Sequence, residues 1–371
     1  MEKSTNGISG IDCEPTRREL SAAFNLPPEM YTSEAIFAAE QKAIFSREWI
    51  YVCRVDQVQN SGDYWTVEVA GAPLMIVRDK DGTVRAHSSV CRHKGAIVAA
   101  GHGNATSFRC KYHGWTYGLD GALLAAPLMN KSKDFSRGDF GLVSVRAEIW
   151  EGLVFVNLDA KAPSLAARLA PLSARFKNYR LENMVCTKTQ EYATPTNWKL
   201  FVANSMEEYH IPVTHAKTLE PYMPMRDHVT EPAGGAYEIL TIIAREESPF
   251  PRVATVPDNT TITALIYPNL VVSASPDSFH TFIHVPIDVS HTVVKADFFF
   301  PRETVSRSDF AEHAKAHYAG LDIILEEDNV ALTATYKGLS SPLSKRGRYA
   351  FREAIVHRLD NYILDRLSDS K

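Results

Sequence analysis

The chain has 371 residues, 45% of them apolar and 23% charged, enough to bury a sizeable core and too mixed for a disordered segment. Forty Lys and Arg against forty-four Asp and Glu leave a net charge of −4 with no block of one sign, which is no footprint for nucleic acid. No apolar run approaches the ~18 residues of a membrane span, the opening Met1-Glu-Lys-Ser-Thr-Asn lacks the apolar core of a secretory signal, and five cysteines suit a reduced cytoplasm better than a disulfide framework.

The chain shows neither an internal repeat nor a low-complexity stretch. Ser33 to Phe45 reads as a helix with Ser33 as N-cap and Ile36, Ala39 and Ala43 along one face. From about Trp49 to Asp159 the pattern turns to short strands. Trp65, Val67 and Val69 alternate with polar residues, and Asp81-Gly82 and Asp120-Gly121 are hairpin signals. Beyond Asp159, Asn197 to about His210 reads as helix. Strands are predicted over 237–244, 260–275, 278–287 and 292–300, then long helices over 308–337 and 349–367. Phe351, Ile355, Val356, Leu359, Ile363 and Leu367 form an apolar stripe on the last. The textures give an N-terminal helical segment over 1–44, a β module over 45–160 and an α+β segment over 161–371.

Within the β module stand Cys91-Arg-His93 and, after sixteen intervening residues, Cys110-Lys-Tyr-His113. Two tight pairs, each one thiol and one imidazole, make a four-ligand set. Zinc accepts such a set in a tetrahedral site. A [2Fe–2S] cluster also uses it, with both thiolates on one iron and both imidazoles on the other. The flanking residues decide between them. Val90-Cys-Arg-His-Lys-Gly-Ala and Cys110-Lys-Tyr-His-Gly-Trp-Thr-Tyr-Gly-Leu-Asp-Gly resemble the Rieske segment of ring-hydroxylating, non-haem iron oxygenase large (α) subunits. The framing Arg47-Glu-Trp49 and Trp150-Glu-Gly-Leu-Val-Phe-Val-Asn-Leu-Asp159 is similar too, and Lys94 stands where the family usually has arginine.

A second constellation lies in Asn197-Trp-Lys-Leu-Phe-Val-Ala-Asn204-Ser-Met-Glu207-Glu-Tyr-His210-Ile-Pro-Val-Thr-His215. In an unbroken helix, side chains five apart diverge by about 140°. Pro212 cannot continue the ladder, so His210 is expected to close the helix and His215 to return from the following turn. Two imidazoles and one carboxylate on one face of Fe(II) leave positions open for dioxygen, water and substrate. The resemblance continues here, through Asn-Trp-Lys, an asparagine, an acidic residue and Tyr-His-x4-His, with Ala203 where many relatives carry glutamate. It makes His210 and His215 iron ligands and Glu207 the acidic bridge. The third ligand then comes from Ile323-Ile-Leu-Glu-Glu-Asp328, with Asp328 chosen over Glu327 and Glu326. Asn204 is a candidate hydrogen-bonding group near the iron, and His280, Phe282 and His284 share one strand face that could line a substrate cavity. His102 reads as a loop residue, and Cys13, Cys53 and Cys186 as structural thiols.

The resemblance implies an α+β protein, a Rieske [2Fe–2S] β-sandwich module set into a helix-grip catalytic domain of antiparallel sheet and long helices. It implies electrons entering at the cluster, O2 reduced at a mononuclear Fe(II), and a homotrimer. In that trimer Glu207 would accept hydrogen bonds from His210 and from His113 of a neighbouring copy. A separate ferredoxin or reductase must donate electrons, since the chain carries no flavin or nicotinamide fingerprint. Glu207, where aromatic dihydroxylating relatives usually carry aspartate, and the short chain favour monooxygenation. The Ile-, Leu-, Val- and Thr-rich strands favour a largely apolar, neutral substrate with a few polar anchors, and the reading is monooxygenation of a hydrophobic, aromatic small molecule. The alternatives are an aromatic-ring dioxygenase, a monooxygenase of quaternary ammonium compounds, and, outside the oxygenases, a Rieske electron carrier or a zinc-stabilised binding protein.

Overall fold

The computed structural model describes residues 10–232, 235–245, 249–252 and 259–368; the opening residues read above for a signal lie outside them. The chain divides into two compact units, Phe45–Arg168, and Met1–Ile44 with Leu169–Lys371. Among the described residues no helix is long and apolar enough to cross a membrane.

Phe45–Arg168 is built on an antiparallel seven-stranded sheet. Its order is Ile50–Arg54, Leu153–Asn157, Ser144–Trp150, Val84–Ser88, Ala72–Arg78, Asp63–Val69 and His102–Asn104. Asp81-Gly82 closes one hairpin of it. A smaller sheet of Phe108–Arg109, Thr116–Tyr117 and Leu123–Ala125 turns at Asp120-Gly121. His102, expected in a loop, lies on an edge strand opposite Trp65 because its ring stacks on that indole, centroids 5.1 Å apart. Cys91, Cys110, Trp115 and Tyr117 share one buried cluster with Met75, Val77 and Phe108.

In the other unit seven antiparallel strands form a second sheet: β1 (Met184–Thr194), β2 (His228–Thr230), β3 (Tyr237–Ile243), β4 (Thr260–Ile266), β5 (Leu270–Ala274), β6 (Phe279–Asp288) and β7 (His291–Pro301). Their order is β1-β7-β6-β5-β4-β3-β2. The stretch 260–275, expected as one strand, is a hairpin, because Pro268 between β4 and β5 has no N–H for a ladder.

Four of the helices bear on the sites: α1 (Glu34–Glu40), α2 (Trp198–Asn204), α3 (Phe310–Leu339) and α4 (Ala354–Ser368). Ser33 caps α1 through its hydroxyl, which accepts from the Ile36 amide. Phe351, counted in the stripe of α4, is 82% exposed, since that helix begins three residues later; Ile355, Leu359, Ile363 and Leu367 are buried. Phe201 of α2, Val294 of β7 and Leu325 and Leu332 of α3 meet in one core cluster. Each such side chain contributes about 1.5–3 kcal/mol by burial, which fixes α2 and α3 against the sheet.

Candidate cluster and metal centres

The two cysteine loops share one backbone form. The Cys91 amide donates to Ala96 O and the Gly95 amide to Cys91 O; in the second loop the Cys110 amide donates to Trp115 O and the Gly114 amide to Cys110 O. Each turn closes through a glycine at positive φ, +75° at Gly95 and +74° at Gly114, where a Cβ would be strained. Each glycine stands four residues after its cysteine, yet the histidine is the second residue after Cys91 and the third after Cys110. The C-x-H and C-x-x-H spacings are therefore two placements of a histidine on the same turn. Both thiols are buried, and the His93 and His113 rings lie with centroids 4.6 Å apart. Trp115 stacks on His93 at 4.9 Å. Tyr117 Oη lies 3.2 Å from Cys91 Sγ and accepts from the Arg92 amide. Two buried thiols and two adjacent imidazoles on matched loops fit a [2Fe–2S] cluster, with a hydroxyl in reach of one cluster sulfur.

The second constellation folds differently from its expected continuous helix. Asn197 caps α2, its side chain accepting from the Lys199 amide, but the helix stops at Asn204 rather than near His210. The Glu207 carboxylate explains the break. It accepts from the amides of Tyr209 and His210 at 2.5 and 3.2 Å, satisfying donors that would otherwise continue a ladder. Pro212 then opens a new one-turn helix, Ile211–Thr214, instead of merely ending the old one. His210 and His215 flank that turn at its N- and C-caps, with ring centroids 5.1 Å apart.

Asp328 of α3 completes the set: one nitrogen of each histidine and a carboxylate oxygen all lie within 4.8 Å of one another. Asp328 Oδ1 stands 3.0 Å from His215 Nε2 and 3.5 Å from His210 Nε2. Each ring is held from its other side by a glutamate, Glu207 Oε1 at 2.5 Å from His210 Nδ1 and Glu327 Oε2 at 2.7 Å from His215 Nδ1. A carboxylate at Nδ1 fixes the proton there and leaves Nε2 as a lone pair. Both Nε2 atoms then face one carboxylate, a donor set that fits Fe(II). Asn204 Nδ2 donates to Asp328 Oδ1 at 3.1 Å and lies 3.4 Å from His210 Nε2. Burial alone would lower the pKa of His215, but hydrogen bonds to Asp328 and Glu327 outweigh it and raise it. Burial pushes Glu327 up, and bonds from Thr218 and His215 bring it below its usual value.

On the sequence alone Glu327 is a rival ligand to Asp328. The structure gives it a supporting position, accepting from Thr218 Oγ1 at 2.6 Å as well, while Glu326 is exposed. The helical period held the signal, since adjacent residues point about 100° apart and cannot both face one ion. His280, Phe282 and His284 do share a face of β6. His284 Nε2 reaches Ser205 Oγ at 3.0 Å, and His280 pairs with His317, a contact sequence gave no means to find. Cys13, Cys53 and Cys186 form no disulfide.

Two family models match the chain, the ring hydroxylating alpha subunit (catalytic domain) over residues 181–369 and the Rieske [2Fe–2S] domain over 48–139. Choline monooxygenase of Atriplex hortensis is 26% identical over 333 residues, 88% of this chain and 74% of the relative. The carnitine monooxygenase oxygenase subunit of Acinetobacter baumannii is 34% identical over 201 residues, 52% of this chain and 53% of that relative, so the match spans about half of its length. A solved quaternary ammonium Rieske monooxygenase superposes with a TM-score of 0.83 over 96% of this chain and 98% of its own at 23% identity, a likeness of fold.

A Rieske module joined to a helix-grip domain with two histidines and a carboxylate defines a Rieske non-haem iron oxygenase. The chain belongs to the family of ring-hydroxylating oxygenase α subunits. A Rieske [2Fe–2S] cluster and a mononuclear iron come with that membership, and the zinc reading of the cysteine–histidine set is set aside.

Proposed function

We propose that the chain is the terminal oxygenase component of a multicomponent system that inserts one atom of O2 into a small molecule with a largely apolar body, by hydroxylation or by N- or O-dealkylation. The observation that carries it is the pair of Nε2 atoms facing Asp328, each ring backed by its own glutamate. His210, His215 and Asp328 would hold the iron, and Cys91, Cys110, His93 and His113 the cluster. The cluster supplies one-electron storage, and the mononuclear iron supplies open coordination positions for dioxygen.

The residues around the metal centre prepare it. Glu207 and Glu327 keep the proton on each Nδ1, and Asn204 orients the shared Asp328 oxygen. In the homotrimer of this reading Glu207 also accepts from His113 of a neighbouring copy, so the acid that positions an iron ligand is also the link to a cluster. The Ile-, Leu-, Val- and Thr-rich strands β3 to β5 favour a largely apolar, neutral substrate. Electrons come from a separate ferredoxin or reductase, and the setting is cytoplasmic.

A second reading, monooxygenation of a quaternary ammonium compound, is favoured by the activities of the choline and carnitine relatives. Metal and sulfide analysis tests the oxygenase reading first. Iron and acid-labile sulfide in the proportion of one [2Fe–2S] cluster and one further iron per chain are expected; a cluster without further iron would indicate an electron carrier.

A further inference from the structure

Residues 205–210 join α2 to the one-turn helix Ile211–Thr214 and belong to neither helix nor strand. They carry Glu207 and His210, so their placement decides where both side chains point. Two adjacent carboxylates hold the segment, in different ways. The bonds of Glu207 run to the amides of Tyr209 and His210 and to the His210 ring. They close within the segment itself, which gives it a shape but no position in the protein.

Glu208 supplies the position. Its side chain is 1% exposed, and its Oε1 lies 3.3 Å from Arg352 Nη1. The same nitrogen donates to Met225 O at 3.4 Å and to His228 O at 3.2 Å. One guanidinium thus ties the segment to the turn Met225–Asp227 and to the edge strand β2. Arg352 is itself held. It stands two residues before α4, whose Ile355, Leu359 and Ile363 are buried. The Glu353 carboxylate accepts from the Ala350 amide at 2.5 Å and closes the turn around it.

Met206 and Ile211 are buried as well, but apolar burial is non-directional. A carboxylate facing a charged donor fixes direction as well as contact. A buried carboxylate parted from its counter-ion is costly, so Glu208 follows Arg352. The Glu208 carbonyl also accepts from the Ile211 amide at 3.2 Å. The residue that Arg352 anchors therefore starts the turn that His210 and His215 flank.

We propose that Arg352 is a positioning residue of the metal centre: through Glu208 it sets the turn from which Glu207 and His210 reach the mononuclear iron. The inference rests on the oxygenase reading above. It puts the control of His210 on the side of the segment opposite to Glu207, in a pair of charges that takes no part in binding the metal.

The test uses the reduced holoenzyme exposed to nitric oxide, whose complex with non-haem Fe(II) is read by electron paramagnetic resonance. The rhombicity of that signal reports the ligand arrangement per iron bound, and a role confined to folding leaves it unchanged. R352Q and E208Q are expected to alter it. Both should lower Fe(II) affinity about tenfold in chelator competition, the lower range for loss of an outer partner. The E208Q/R352Q double variant should lose no more than R352Q alone, because Arg352 acts through Glu208. E208Q strands no buried carboxylate, so it carries the test if R352Q does not fold. A wild-type signal or wild-type affinity in E208Q, or losses that add in the double variant, would overturn the assignment alone. A wild type that gives no Fe(II) signal would end the oxygenase reading and the assignment with it, and its iron and sulfide content shows that failure separately.

Discussion

Glu327 and Asp328 are neighbours on α3 and take opposite nitrogens of a single ring. Asp328 Oδ1 lies 3.0 Å from His215 Nε2, and Glu327 Oε2 lies 2.7 Å from Nδ1. A turn of about 100° between adjacent helical residues lets two carboxylates clasp a side chain placed between them. Glu327→Gln keeps the shape and removes the charge that fixes the His215 proton. Iron affinity is expected to fall about 10- to 100-fold while the visible spectrum of the cluster stays unchanged. Competition with an iron chelator measures it, and unchanged affinity would remove the supporting role.

Glu207 holds the other ring through His210 Nδ1, but it does so while also accepting two backbone amides. Its loss takes away the turn's two acceptors along with the carboxylate on His210 Nδ1. Glu207→Ala, compared with wild type at saturating Fe(II), should keep the cluster spectrum and lower reductant-coupled turnover about 100-fold, the upper range for loss of an outer partner. Turnover at the wild-type rate would end the bridge assignment.

His284 gives the site an acid limit. Burial pushes its pKa down to about 4, against backbone hydrogen bonds that raise it. Its folded value lies below the unfolded one of about 6.5. Below that pH the unfolded chain takes a proton that the folded chain refuses, so the stabilising contribution is full above about 6.5 and is lost as pH falls toward 4, at about 1.4 kcal/mol per pH unit. In His284→Gln the urea midpoint should fall less steeply across this window. Parallel profiles for the two proteins would contradict the assignment.

Lys199 and Glu40 form an ion pair at 2.6 Å, with side chains 1% and 0% exposed, and the Trp198 indole donates to the same carboxylate at 2.8 Å. Lys199→Met strands a buried carboxylate and is expected to cost about 3–5 kcal/mol. Adding Glu40→Gln should recover much of that loss. A double-mutant cycle by urea unfolding measures the coupling, and simple additivity would contradict it.

The sequence carried the residue types of both centres because metal loops need ligands close along the chain. Cys91, His93, Cys110 and His113 were legible as a set, although the common turn behind the two unequal spacings appears only in the backbone bonds. The local fold of His210 and His215 was not legible. Helical periodicity through Glu207 hid the fact that its own side chain captures the amides of the next turn. His317 was invisible for another reason: its partner His280 is thirty-seven residues away, on a strand whose pairing no local pattern fixes. The hairpin at Pro268 and the late start of α4 are boundary effects of the same origin, decided by ladder hydrogen bonds.

By the proposed function, one oxygen atom enters the substrate at the centre formed by His210, His215 and Asp328. Turnover under ¹⁸O₂ tests it most directly, on a panel of apolar aromatics bearing N-alkyl, O-alkyl or unsubstituted rings, together with choline and carnitine, read by mass spectrometry. One labelled atom in the product, with loss of an alkyl group as its aldehyde where one is present, is the predicted result. Two labelled atoms on adjacent ring carbons would contradict it and establish a dioxygenase.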